Sequence, residues 1–313
     1  MMIGEGRVET GDLILLTRRA DDPLGSFVSR LDGTPFSHVG IVSRDGLVVS
    51  CHSGPLGYNL DETGGVRLDD VGVFVAAERE VWHGRVDATV AERAEVADRV
   101  EHFAYDGLDP GASRGVQPSS FSYVKLFIVA AGLDARSSES DLDDAARQHL
   151  FDTCLDTARA WTWTTDDASF FCSEFAAVVY DRPFPATAFT PPARRGLAVG
   201  PPLAEVPGGR LAERLRREVR RGRRAAALAR LVAALVVDDP LFLAETVDTL
   251  RRYRDFTRAH PRGQPEPVPA PTPSPSPPFA PRPQPADALP TSLVTPRMLR
   301  DAPWTEKPTR IAG

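Results

Sequence analysis

The sequence predicts a mixed α and β protein, with its strands before residue 78 and all but one short helix after residue 88. Three observations carry that reading. Short apolar runs broken by turn residues fill residues 13–77, each of strand length. Residues 88–180 instead place apolar side chains at helical spacing. Late in that stretch a cysteine, Cys172, stands where a polar loop (residues 164–169) gives way to the apolar run Phe170-Phe171-Cys172-Ser173-Glu174-Phe175-Ala176-Ala177-Val178-Val179-Tyr180. The chain has 313 residues and 42% hydrophobic residues, enough for a sizeable core in one or two domains.

In chain order, Gly11-Asp12 reads as a turn and residues 13–17 as a buried strand. Residues 26–31 read as a short helix, ended by Asp32-Gly33. Pro35 leads into a second strand over 36–43. Asp45-Gly46 is a tight-turn signal, and residues 47–52 are the hairpin partner. Residues 54–65 form a polar, Gly-rich loop, residues 66–68 a strand fragment, and residues 71–77 a further strand. A helix follows over 88–104, loop over 105–118, a buried helix over 119–132, and another helix from Ser137 towards Trp163, with Glu139 and Asp141 suited to its first turn. The Cys172 helix closes this region. The chain therefore divides into a first domain over 1–185 with a helical insertion over 88–163, an Arg-rich helical region over 186–260, and a tail over 261–313. Within the middle region, residues 211–237 carry arginines at 214, 216, 217, 220, 221, 223, 224 and 230, and residues 241–260 form a further helix. The tail holds 16 of the 29 prolines and is expected to be disordered.

Composition excludes several roles. A net charge of −6 argues against nucleic acid as a partner. Three cysteines give no disulfide framework. No signal peptide is evident, since the apolar run at 13–16 is too short. No uncharged apolar run reaches the ~18 residues of a membrane span, so a cytoplasmic protein is expected. Basic residues are nearly all Arg, only Lys125 and Lys307 being lysine, a bias that fits a bacterial GC-rich genome.

At a helix N-terminus, unpaired amides and the positive dipole end favour thiolate, and the cysteine's own amide can face an oxyanion. A lone cysteine is more often a buried small hydrophobe. What changes the balance is Ser37-His38-Val39-Gly40-Ile41-Val42 upstream. His38 on a strand is a rigid base for a thiol, and Gly40 leaves room beside it. Strand alternation puts Ser50 and His52 on one face and Cys51 on the other. A turn at Asp45-Gly46 brings Ser50 and His52 beside His38. Either His52 or Ser50 can orient its second ring nitrogen. His83, His102, His149 and His260 have no partner pattern and read as structural or solvated. Cys154 reads as core. A metal site from Cys51, His52 and Cys172 lacks ligand spacing, and no metal or cofactor is expected.

The order Gly-Asp-Leu-Ile at Gly11, Ser-His-Val-Gly-Ile-Val at Ser37, Asp-Gly-Leu-Val-Val at Asp45 and Phe-Cys-Ser-Glu-Phe at Phe171 resembles the circularly permuted NlpC/P60 branch of the papain-like superfamily, most closely its YiiX-like group. In that branch the His strand precedes the Cys helix, as here. The resemblance covers residues 11–180. It implies a small α+β domain with an antiparallel sheet packed on the Cys helix, His38 as base and Cys172 as nucleophile. The family's third polar residue, often Glu or His, lies on the strand after the His strand. No acid stands there in this chain, which leaves His52 or Ser50. Asp12 and Glu174 match motif positions of structural character. The implied activity is that of a cysteine hydrolase or acyltransferase on an amide, ester or thioester bond, with a peptide, isopeptide or lipid acyl substrate. The alternative is a non-catalytic scaffold on the same fold, docking a partner or an anionic membrane surface through the Arg-rich helix and the tail.

Overall fold

A computed structural model describes residues 2–3, 6–19, 21–53, 64–76, 79–105, 120–136, 143–160, 169–190, 240–259, 285 and 287–312. It is an α+β protein built on a six-stranded antiparallel sheet. In chain order the described elements are β1 (Met2–Ile3), β2 (Gly6–Arg7), β3 (Leu13–Thr17), α1 (Pro23–Asp32), β4 (Phe36–Val42), β5 (Val48–Ser53), β6 (Gly64–Asp69), α2 (Val71–Ala76), β7 (Val81–Gly84) and α3 (Val90–Tyr105). They continue as β8 (Ser120–Phe121), α4 (Tyr123–Arg136), α5 (Asp144–Ala160), β9 (Ser169–Phe170), α6 (Cys172–Tyr180), α7 (Pro240–Ala259), α8 (Pro296–Arg300) and β10 (Thr309–Ala312). The sheet order is β10-β7-β3-β4-β5-β6. None of the described helices is long and apolar enough to cross a membrane.

Local chemistry explains the elements around the site. Asp22 caps α1 by accepting from the Gly25 amide at 3.0 Å, Pro23 opens the helix, and Gly33 ends it at φ +62°. The β4–β5 hairpin turns through residues 44–46, with Gly46 at φ +76° and the Ser43 amide bonded to the Leu47 carbonyl at 2.8 Å. Side-chain alternation then divides the sheet. Leu13, Leu15, Val39, Ile41, Val49, Cys51, Val66 and Leu68 face the main core with α6. Ile14, Leu16, Val42 and Val48 face a smaller cluster with Val71 and Phe74 of α2.

Two expectations are corrected. Residues 71–77, expected to be a strand, form helix α2 over Val71–Ala76. Asp70 starts it, accepting from the Gly72 amide through its side chain at 2.7 Å and from the Val73 amide through its carbonyl at 3.0 Å. Val71 and Phe74, three apart, are then buried while Val73 and Val75 are exposed, so capping and burial override β-branched propensity. The tail expected to be disordered is ordered over residues 287–312, so the domain does not end at residue 185. Leu289, Leu293, Val294, Met298 and Leu299 are buried in the main core. Thr295 caps α8, and β10 pairs antiparallel with β7. Proline content hid this because the apolar residues that anchor the segment are few and find their partners more than 100 residues away. Residues 261–284, 286 and 313 of the tail lie outside the described residues. So do the Arg-rich run 211–237, the loop 54–63, and Glu139 and Asp141; helix α5 begins at Asp144.

Asp12 organises the sheet from within. It is fully buried and accepts from the Glu9 amide (2.9 Å), the Val86 amide (3.1 Å), Arg93 Nη1 (2.9 Å) and His83 Nε2 (2.8 Å). Burial alone would raise its pKa, but these four donors outweigh burial and hold the carboxyl below its ordinary value. Its charge therefore stabilises the fold above the ordinary carboxylate pKa, and that stability is lost as pH falls through the lowered value.

Because the C-terminal segment completes the core, Leu293→Ala should lower the unfolding free energy by about 2–5 kcal/mol in a denaturant titration, the cost of an emptied buried leucine site. An unchanged midpoint would show that the segment is not part of the cooperative unit.

Candidate active site

The hairpin places three of the expected residues together. A β-bulge falls at the start of β4, where Leu16 pairs with His38 but Thr17 pairs with Phe36, so Ser37 is the extra residue. Such a bulge re-aims the side chains next to it. Gly40 then permits close approach of β5. A Cβ at this position would lie 2.5 Å from Val48 Cγ1 and 3.1 Å from Ser50 Cβ. In the space so gained, His38 Nε2 lies 3.0 Å from Ser50 Oγ, and Ser50 Oγ lies 2.8 Å from His52 Nε2. The two imidazoles are 4.5 Å apart between centroids. Phe74 of α2 stacks on His52 at 5.9 Å, with the rings nearly parallel.

The line extends to a residue the sequence reading missed. Asp69 Oδ2 lies 3.1 Å from His52 Nε2. The acid comes from β6, one strand further than expected. Ser50 pairs with Arg67 and Val48 with Asp69, so Asp69 shares the Ser50 and His52 face and reaches diagonally along it. The signal was present: continuing the alternation of Val66 and Leu68 by one residue puts Arg67 and Asp69 opposite the apolar face. Ser50 Oγ stands between the two imidazoles, within hydrogen-bond distance of both.

Cys172 is the first residue of α6. The residue before it, Phe171, is extended and offers no side-chain cap, which leaves the first amides of the helix for other partners. The sulfur faces the amides of Val39, Ser173 and Cys172 itself. The expectation that the helix start favours thiolate is corrected. Burial is the largest influence and pushes the thiol up to about 11, and the three amides and the charge of Arg79 only partly offset it. Cys51 points into the core, where its thiol donates to the Phe170 carbonyl at 3.3 Å and burial holds its pKa well above the ordinary thiol value. Cys154 is fully buried in α5.

Cys172, Ser37, His38 and His52 line one cavity of about 60 Å³. Asp22 and Arg79, paired at 3.3 Å, lie in the same wall, as does Ser53, which hydrogen-bonds Tyr253 of α7. Arg79 and Asp22 carried no motif in the sequence. They are brought in by the cap of α1 and by the approach to β7. Leu24, Val28 and Leu31 of α1 and Leu126, Val129 and Leu133 of α4 supply an apolar wall. Thr295 and Pro296 of the C-terminal segment also border the cavity. Among the described residues, no group of three or more His, Cys, Asp or Glu side chains is placed to hold a metal ion. His83 is the structural partner of Asp12, away from this cavity.

No family model matches the chain, and no curated protein or solved structure matches it either.

Alkylation of Cys172 by iodoacetamide, followed by peptide mass spectrometry, should accelerate about tenfold per pH unit from pH 7 towards the thiol's raised pKa, because only the thiolate reacts. A rate already level near neutral pH would show a preformed thiolate.

Proposed function

We propose that the protein is a cysteine hydrolase or acyltransferase with the chain order of a permuted papain-like enzyme. The observation that carries this reading is the hydrogen-bonded line His38–Ser50–His52–Asp69 ending at the cavity that Cys172 also lines. A nucleophile, a base and a group that orients the base are the parts that covalent acyl chemistry needs.

In this mechanism Cys172 Sγ attacks the carbonyl carbon of an ester, thioester or amide. Its proton passes to His38 Nδ1, the ring nitrogen turned from Ser50. His38 then donates through Nε2 to Ser50 Oγ. A hydroxyl oxygen has two lone pairs, so Ser50 Oγ also accepts from His52 Nε2–H, which Asp69 holds in the protonated position. The amides of Cys172 and Val39, which face the sulfur, are the donors nearest the reacting carbon and stabilise its oxyanion. His38 returns the proton to the leaving group as the carbonyl-to-heteroatom bond breaks, leaving a thioester on Cys172. Water, or an acceptor hydroxyl or amine, then attacks the thioester, passes its proton through His38 to the sulfur, and releases the acid or the transferred product.

The three free thiols fit a reducing compartment such as the cytoplasm. The scaffold alternative draws on the Arg-rich run at 211–237, which lies outside the described residues.

The test is covalent labelling by a thiol-reactive acyl probe. Cys172→Ala should abolish it, and His38→Ala should slow turnover about 10²–10⁴-fold, the range for loss of a positioned base. Asp69→Asn should give a smaller loss. Labelling that persists in Cys172→Ala would overturn the assignment.

A further inference from the structure

The side of the cavity facing the polar line is built from two helices. Leu24, Val28 and Leu31 lie on successive turns of one face of α1, and Leu126, Val129 and Leu133 do the same on α4. Between these two aliphatic rows a peptide backbone would lose its hydrogen bonds, whereas an alkyl chain has none to lose. A second, smaller cavity lies beyond. It is lined by Phe27 of α1, Tyr123 and Phe127 of α4, and Thr246, Thr249 and Leu250 of α7. Leu24 and Leu126 border both cavities, so their side chains form the partition between them. Leu24 is buried and Leu126 half-buried.

We infer that the slot between α1 and α4 receives the acyl chain of the substrate and that Leu24 and Leu126 set the chain length it accepts. This inference rests on the cysteine-hydrolase reading, because it is Cys172 that takes the acyl carbonyl. With the carbonyl carbon at Cys172 Sγ, the alkyl chain runs between Val28 and Val129 and stops at the partition. The chemistry is that of an ester: Sγ displaces the alkoxide, His38 protonates the leaving oxygen, and water hydrolyses the acyl thioester to a free carboxylic acid. The substrate class is therefore an alkanoyl ester of medium chain length, and α7 covers the far end of the slot. Ser53 at the cavity rim bonds Tyr253 of α7, which ties this cover to the polar side of the site.

The experiment is a kcat/KM series on the full chain with p-nitrophenyl acetate, butyrate, hexanoate, octanoate, decanoate and dodecanoate, with Cys172→Ala as background. Each methylene that enters the slot should raise kcat/KM about fourfold, the transfer contribution of one buried methylene, until the chain meets the partition and the value falls. Leu126→Ala opens the partition and should move the optimum to a longer ester. Leu126→Phe narrows it and should move the optimum to a shorter one. Opposite shifts in the two variants support the slot even where one of them is less stable. A profile that is flat with chain length, or unmoved by either variant, while intact-mass measurement still finds acyl-Cys172, overturns the slot and leaves the hydrolase reading standing. Absence of acyl-Cys172 with every ester overturns both.

Discussion

The position of Cys172 depends on how α6 is held, and all nine residues of that helix are buried. A helix without a solvent face has no amphipathic stripe to orient it, so polar contacts must set its rotation and register. Tyr180 at one end donates to the Gly11 carbonyl at 2.7 Å, and Ser173 at the other donates to the Val294 carbonyl at 2.8 Å. Between them Glu174 pairs with Lys125 of α4 at 2.9 Å, with both side chains nearly inaccessible. Burial raises the pKa of Glu174, and the Lys125 charge opposes that rise. Removing one partner of such a pair costs on the order of 3–5 kcal/mol, because the other is left charged in an apolar interior. The pair thus locks α4 to α6, and with them the apolar wall of the cavity to Cys172.

The His38 side of the cavity is positioned by steric permission rather than by attraction. Any side chain at position 40 would collide with Val48 and crowd Ser50, so the hairpin closes at this point only around glycine. The bulge at Ser37 adds one residue to β4 just before His38. Gly40 and the bulge together put His38 at the open end of the hairpin, where the cavity begins. Phe74 then covers the outer face of His52, which keeps one side of the polar line dry.

How much of this was legible follows the range of the interactions. The strands at 13–17, 36–43 and 47–52 were readable because period-two burial and a glycine turn are local signals, and they alone predict that His38, Ser50 and His52 meet. The Cys172 helix was readable for the same reason. Asp69 was missed by stopping the β6 alternation one residue early. Helix α2 was misread because Val71-Gly72-Val73-Phe74-Val75 has strand propensity, and only the cap by Asp70 and the burial of Val71 with Phe74 decide otherwise. The C-terminal segment was not legible at all. Its residues gain order from contacts with β7, α6, α4, α5 and β4, and a proline-rich composition says nothing of partners so distant in sequence.

Burial of Cys172 bears on how the site would work. A thiol pushed up to about 11 rests neutral, even though three amides face it. On the proposed reading, the amides that leave the buried thiol neutral would hold an oxyanion, which carries full charge and cannot relax by keeping a proton. Burial, on that reading, would shift the demand from the ground state to the transition state, because a preformed thiolate would bind those amides before the reaction and weaken their differential effect. On the proposed reading, proton transfer to His38 and attack on the carbonyl proceed together, and the line through Ser50 and His52 to Asp69 matters most while His38 is charged.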